Sequence, residues 1–297
     1  MRVRDSVEAM PEYRASQTAV LVCQGRAVAH ERRLPGRYAD PTAMVLLRDD
    51  ERAAVERVLA GALPADWNDR MAYEMVLRCG EMLVPRTVAI DDAIRERPAG
   101  QVVILGAGLD GRAWRMPDLA DAAVYEVDQP ASQQDKRDRA TALKGTPPTF
   151  VPVDFARDRL GDALAGAGHR AAEPTTWVWE GVVPYLTAAQ VTGMVQQIAA
   201  LSAAGSRLIV NYQEHSVAAR FGRLIARAMA RPGGRSNPWA AEPWLSTWTP
   251  ASMGGLLRRH GFTVLRDDDL RTVAAGLKEV APDRMSFRSG RVAVADI

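Results

Sequence analysis

The spacing of apolar residues divides the chain into two rhythms. Up to about residue 100 the rhythm is helical. Ala19, Val22 and Cys23, and then Val55, Val58, Leu59 and Leu63, recur at the spacing of one helix face. Turn chemistry at Leu34-Pro35-Gly36 and Asp40-Pro41 punctuates this region. Residues 71–83 continue the pattern, and Pro85 predicts an interruption before it resumes over 86–94. Nothing here alternates as a half-buried strand does. At residue 101 the rhythm changes. Residues 101–105 (QVVIL) form a short apolar run rich in β-branched residues that ends in glycines, as expected of a strand buried on both faces. Similar runs lie at 123–127, 149–153, 176–179 and 207–211. A capping-box pattern, Thr187 to Gln190, opens a helix whose buried stripe is Val191, Met194, Val195, Ile198 and Leu201. Thr249-Pro250 starts another, which ends at Gly261. Strands are expected again at 262–265 and 291–295. Alternating strands and helices with short connections predict a doubly wound parallel α/β sheet.

Composition narrows the class. The 297 residues are 47% hydrophobic and 25% charged, which excludes wholesale disorder, collagen-like sequence and a coiled-coil rod. The net charge of +2 does not suggest a nucleic-acid-binding domain. Only 3 of the 38 basic residues are lysines, which reads as coding bias before function. Cys23 and Cys79 are too few for a disulfide framework or a cysteine-built zinc site. No apolar run approaches the ~20 residues of a membrane span, and the first residues carry no signal-like apolar segment. No membrane partner and a cytoplasmic location are the resulting expectations.

The densest chemistry lies in VVILGAGLDGRAWR, residues 102–115. Gly106, Gly108 and Gly111 fit G-x-G-x-x-G between a strand and a helix, a bend whose free N–H groups and lack of Cβ suit a nucleotide. Glu126 and Asp128 follow 20 and 22 positions beyond Gly106, where a carboxylate can take both hydroxyls of a ribose. This much serves a nicotinamide or flavin dinucleotide as well as S-adenosylmethionine. Two more strand ends favour the latter. Val153-Asp154-Phe155 ends the third strand, and Trp179-Glu180-Gly181 ends the fourth, followed by Val-Val-Pro-Tyr185. Carboxylates on successive strand tips point at one crevice.

The segments LGAGLDGRAWR, YEVDQP, PVDF and WEGVVPYLT resemble the leucine carboxyl methyltransferase superfamily. The resemblance is to its bacterial branch, with actinobacterial S-adenosylmethionine-dependent methyltransferases and polyketide O-methyltransferases of the tetracenomycin type. Arg26-Ala27, Ala39-Asp40-Pro41 and Arg86-Thr87 with Asp91-Asp92 extend it over most of residues 20–211. It implies a seven-stranded, Rossmann-like class I methyltransferase sheet. A helical N-terminal cap over 1–100 would precede the methyltransferase domain at 101–297, which would carry a helical lid insertion at about 215–248. The resemblance further implies that Arg86 binds the methionine carboxylate of the cofactor and that Gly106, Ala107 and Gly108 lie beneath it. Asp128, with Gln129 beside it, would hold the ribose. Asp154 and Phe155 would frame the adenine, and Glu180, with Gly181, would face the methionine amino group. Arg26 would help close the N-terminal side. Two positions depart from the family pattern: Gly111, where Ser, Thr or Cys is usual, and the acid-Phe pair at 154–155, where acid-Leu is usual.

The acceptor decides what else the chemistry needs. A carboxylate is already ionised at neutral pH, whereas a phenol wants a base. None of His30, His169, His215 and His260 belongs to a metal-binding spacing, so no metal is expected. His215 is the candidate base and Tyr185 the candidate substrate-orienting hydroxyl. Arg220, Arg223, Arg227 and Arg231 share a helix face that could draw an anionic substrate or a carrier protein, and Trp239, Trp244 and Trp248 could line an apolar pocket. The expected activity is O-methylation, first of a carboxylate on a small-molecule, polyketide or peptide acceptor, with a phenolic hydroxyl as the rival. An NAD(P)-dependent oxidoreductase and a non-catalytic binding module stand as readings of other classes.

Overall fold

Seven strands form one sheet in the order β3-β2-β1-β4-β5-β7-β6 in the computed structural model, which describes residues 16–32, 38–155, 157–214, 244–277 and 289–297. The strands are β1 (Gln101–Leu105), β2 (Ala123–Asp128), β3 (Thr149–Pro152), β4 (Thr175–Trp179), β5 (Arg207–Gln213), β6 (Thr263–Asp269) and β7 (Gly290–Asp296). All seven lie within a few residues of the apolar runs that predicted them. β1 to β5 are mutually parallel. β7 departs from the all-parallel expectation, since it runs antiparallel to both β5 and β6 and separates them. The alternation of an RVAVA segment marks a strand but carries no direction.

The described helices are α1 (Gln17–Glu31), α2 (Asp49–Leu59), α3 (Trp67–Glu96), α4 (Arg112–Arg115), α5 (Pro130–Arg139), α6 (Leu160–Gly166), α7 (Ala188–Ala200), α8 (Pro250–Arg259) and α9 (Leu270–Gly276). Strand pleating sends alternate side chains to opposite faces. Val103, Leu105, Trp177 and Trp179 enter one core with Leu160 and Leu164 of α6, Val191, Val195 and Ile198 of α7, and Leu256 of α8. Val102, Ile104 and Val178 enter the other with Ile90, Ala93 and Ile94 of α3 and Leu270 of α9. A third cluster joins α1, α2 and the first half of α3, and includes Leu109 from the loop after β1. Thr187 caps α7 through the predicted box, and Thr249 caps α8 as predicted, there through a box with Ser252.

Pro85 does not interrupt the helix as expected; α3 runs through it for 30 residues. Its lost N–H is outweighed because both halves are buried, Val76, Cys79 and Leu83 in the third cluster and Ile90 to Ile94 against the sheet. Of the expected lid over 215–248, residues 215–243 lie outside the described residues, and with them His215, Trp239 and the four arginines of the basic face. No helix among the described residues is long and apolar enough to cross a membrane.

Candidate cofactor and active site

Register brings the predicted carboxylates together. Leu105 stands abreast of Val127 on one side and Trp179 on the other. The residues that follow, Gly106, Asp128 and Glu180, therefore leave the sheet at the same edge, the carboxyl end where ligands meet open α/β sheets. The bend begins when Gly106 and Ala107 donate their N–H groups to the Val127 carbonyl, at 2.8 and 3.2 Å. Gly106 and Gly108 both have positive φ. A Cβ on Gly106 would overlap Val182, and one on Gly108 would stand 3.1 Å from Ala19 of α1. The glycines thus admit protein on both sides: α1 presses on the bend from one flank and the turn after β4 from the other. Arg26 of α1 completes that clamp by donating to the Leu109 carbonyl.

Asp128 accepts the Gly108 N–H at 2.6 Å and the Gln129 N–H at 2.7 Å. Burial raises its pKa, and the two N–H groups only partly offset this. Each oxygen keeps lone-pair capacity beyond the one bond it accepts. Gln129 is exposed at the cap of α5. Glu126, two residues earlier on the same face of β2, is fully buried and pairs with buried Lys136, so its depth in the strand, and not the pleat, leaves Asp128 as the acid at the crevice. Asp154 begins a turn, with Asp158 accepting its N–H at 2.8 Å, and its carboxylate lies 3.5 Å from exposed Arg157. Phe155 packs against the core beneath α6 and α7.

Glu180 is the most constrained of the acids. Its Oε1 accepts from Arg86 Nε at 2.7 Å and its Oε2 faces Arg112 Nη1 at 2.8 Å. Burial pushes its pKa up, but Arg112 and Arg86 outweigh that and hold it down at about 2. These residues belong to a longer run of alternating charge. Arg26 meets Asp40, Asp40 meets Arg115, Arg115 and Arg112 share Asp91, and Arg112 also binds Asp110 before reaching Glu180 and Arg86. Four arginines face four carboxylates, all with side chains no more than 13% exposed. Removing one partner from such a set costs about 3–5 kcal/mol, because another charge is left buried and alone.

Gly181 follows at φ +71 with no heavy atom within 4 Å of a Cβ position. Its N–H is held by Asn211 Oδ1 at 3.3 Å, while Asn211 Nδ2 donates to the Arg291 carbonyl of β7. Tyr185 lies half-buried in a single 3-10 turn, Val183–Tyr185, close in sequence to Glu180. His169 packs edge-on to Tyr125 and beside Trp177, a core role. Two cavities, about 180 Å³ beside Trp114 and Phe150 and about 400 Å³ beside Asp158 and Gln197, contain none of the site residues named above. Sequence reasoning missed Arg112, Asp110 and Asn211 as site residues. A charge following the third glycine and an amide ending the fifth apolar run were the only local signals.

The leucine carboxyl methyltransferase family model matches residues 19–199. A relative from Frankia alni, provisionally named an S-adenosyl-L-methionine-dependent methyltransferase, is 34% identical over 233 residues, 76% of each chain. One of the same provisional name from Mycobacterium tuberculosis is 33% identical over 278 residues, 89% of each. Among solved structures, a provisionally named methyltransferase from Thermobifida fusca shares the fold at a TM-score of 0.52 and 16% identity, with 96% of both chains covered.

Proposed function

The chain belongs to the leucine carboxyl methyltransferase family and is an S-adenosylmethionine-dependent methyltransferase, and from that premise we propose that it methylates a carboxylate oxygen of a small-molecule or peptide acid. When bound, the cofactor supplies an electrophilic methyl group on a sulfonium. The residues present suit its other groups. Arg86 and Glu180, paired to each other, carry charges opposite to those of an amino-acid zwitterion, with Arg86 for the carboxylate and Glu180 for the ammonium. Asp128 keeps acceptor capacity for the ribose hydroxyls, and Asp154 and Phe155 are assigned to the adenine. The family match sets aside the dinucleotide reading.

The observation that carries the choice of acceptor is that both oxygens of Glu180, the carboxylate at the tip of β4, are engaged by arginines, Arg86 at 2.7 Å and Arg112 at 2.8 Å. A carboxyl group held near 2 by two arginines is a very weak base at neutral pH. An acceptor that arrives already ionised needs no proton removed, only donors that aim one oxygen. Tyr185 is proposed as such a donor. The work left to the protein is placement and exclusion of water, and placement alone is worth about 7–11 kcal/mol. The tetracenomycin-type resemblance supports a specialised metabolite of polyketide or peptide character. In this reading His215 is dispensable.

The test is to incubate the protein with methyl-labelled cofactor and paired panels of carboxylic acids and phenols, then treat the products with mild alkali. Ester formation releases the label as methanol. Label that stays on the acceptor after alkali, with turnover lost in His215→Ala, would replace this reading with phenolic O-methylation.

A further inference from the structure

Arg112 is buried, with its side chain only 2% exposed, yet it binds three acids, its neighbour Asp110 and the distant Asp91 and Glu180. Its Nε donates to Asp91 Oδ1 of α3 at 2.8 Å, and its Nη1 faces Asp110 of the glycine bend and Glu180 Oε2 at 2.8 Å. Its own N–H donates to Asp110 Oδ1 at 2.7 Å, which fixes the base of the side chain. Arg86 alone would leave the Glu180 carboxylate able to turn about its single contact. The second guanidinium, on the other oxygen, fixes the plane of the carboxylate as well as its place. The guanidinium meets the acids in fixed directions, Nε toward Asp91 and Nη1 toward Asp110 and Glu180, which a freely rotating ammonium would not preserve.

We propose that Arg112 is the positioning residue of the cofactor site, locking the Glu180 carboxylate in the orientation that receives the ammonium of S-adenosylmethionine. This rests on the assignment of Glu180 to the amino-acid end of the cofactor. Arg112 touches no ligand itself, and it acts through Glu180.

The experiment uses the full chain and two probes that share a nucleoside. S-adenosylhomocysteine has the amino-acid tail, and 5′-methylthioadenosine lacks it. Affinities are measured by calorimetry on the wild type, Glu180→Gln, Arg112→Gln, Arg112→Lys and the double variant Glu180→Gln/Arg112→Lys. We expect Glu180→Gln and Arg112→Gln each to lose about tenfold to hundredfold for S-adenosylhomocysteine, the loss of one charge-assisted hydrogen bond, with Arg112→Lys between them and the wild type. Methylthioadenosine affinity is expected to stay within about threefold throughout, and the double variant to bind no more weakly than Glu180→Gln. Wild-type affinity in Glu180→Gln would overturn the assignment of Glu180 itself. If Glu180→Gln loses affinity but the Arg112 variants do not, or weaken both probes alike, the positioning role is overturned and the Glu180 assignment stands. Should Arg112→Gln fail to fold, Arg112→Lys decides. If neither folds, Arg112 is a residue of the fold alone, and the proposal fails.

Discussion

Gly111 shows how a single residue can depend on a partner far away in the chain. A Cβ there would overlap Thr42 Oγ1 and stand 3.3 Å from Asp40 Oδ1. Thr42 in turn donates to Asp40 at 2.5 Å and helps keep that acid in the buried ionic run. Gly111→Ser should therefore destabilise the protein by about 1–3 kcal/mol of overpacking. Urea unfolding should show much of that recovered in Gly111→Ser/Thr42→Ala; no recovery would mean that Thr42 is not the obstacle. Glu126 supports a second prediction. Burial lifts its pKa to about 7 against the pull of Lys136, and its Oε1 has no hydrogen-bond partner. Since the folded value lies above the unfolded one of about 4.3, its contribution to stability is complete below that pH and is lost as pH rises through 7. Glu126→Gln/Lys136→Met should gain on the wild type by about 1–4 kcal/mol at pH 8 and by less at pH 5 in urea titrations. A gap that does not change with pH would contradict this. Asp128 and Glu180 were legible in the sequence because a strand end announces itself locally. Arg112 was not, because beyond its neighbour Asp110 its partners sit at 91 and 180, and only the fold brings them to it.

Among the elements, the crossing of α1 and α3 governs how Arg26 and Arg86 are delivered. The helices touch at Gly25 and Gly80. A Cβ on Gly25 would lie 2.8 Å from Leu83 Cδ1 and 2.9 Å from the Gly80 nitrogen, and one on Gly80 would lie 3.0 Å from the Gly25 carbonyl. Backbone cannot yield as a side-chain tip does, so Gly25→Ala should force the helices apart. We expect about 1–3 kcal/mol of destabilisation together with weaker S-adenosylhomocysteine binding, because α3 carries Arg86 and Asp91. Loss of stability with unchanged affinity would show that the site does not feel the crossing. The helices and strands were legible where burial is periodic and caps are local. The unbroken course of α3 was not, because the support for Pro85 comes from two cores that local spacing does not reveal.

For the molecule as a whole, the site is built from α1, α3, the bend after β1, and the ends of β2 and β4, so a ligand there ties the N-terminal helices to the sheet. S-adenosylhomocysteine at a hundredfold its Kd adds about 2.7 kcal/mol, and the melting temperature should rise by roughly 4–5 °C. A scan in which methylthioadenosine at the same multiple of its own Kd gives a comparable rise would be consistent with this, whereas no rise with either would argue against a preformed site. The first five strands and their doubly wound, parallel arrangement were legible from alternation, while their order in the sheet and the direction of β7 were not. That reversed strand has a consequence for how the protein is made. β6 leaves the ribosome with no neighbour in the sheet, because the strand it must pair with is translated later, and β5 keeps an open edge for the same interval. The nascent chain therefore carries two unpaired edges until β7 slides between them, and a chaperone that shields exposed strands would matter most during that brief window.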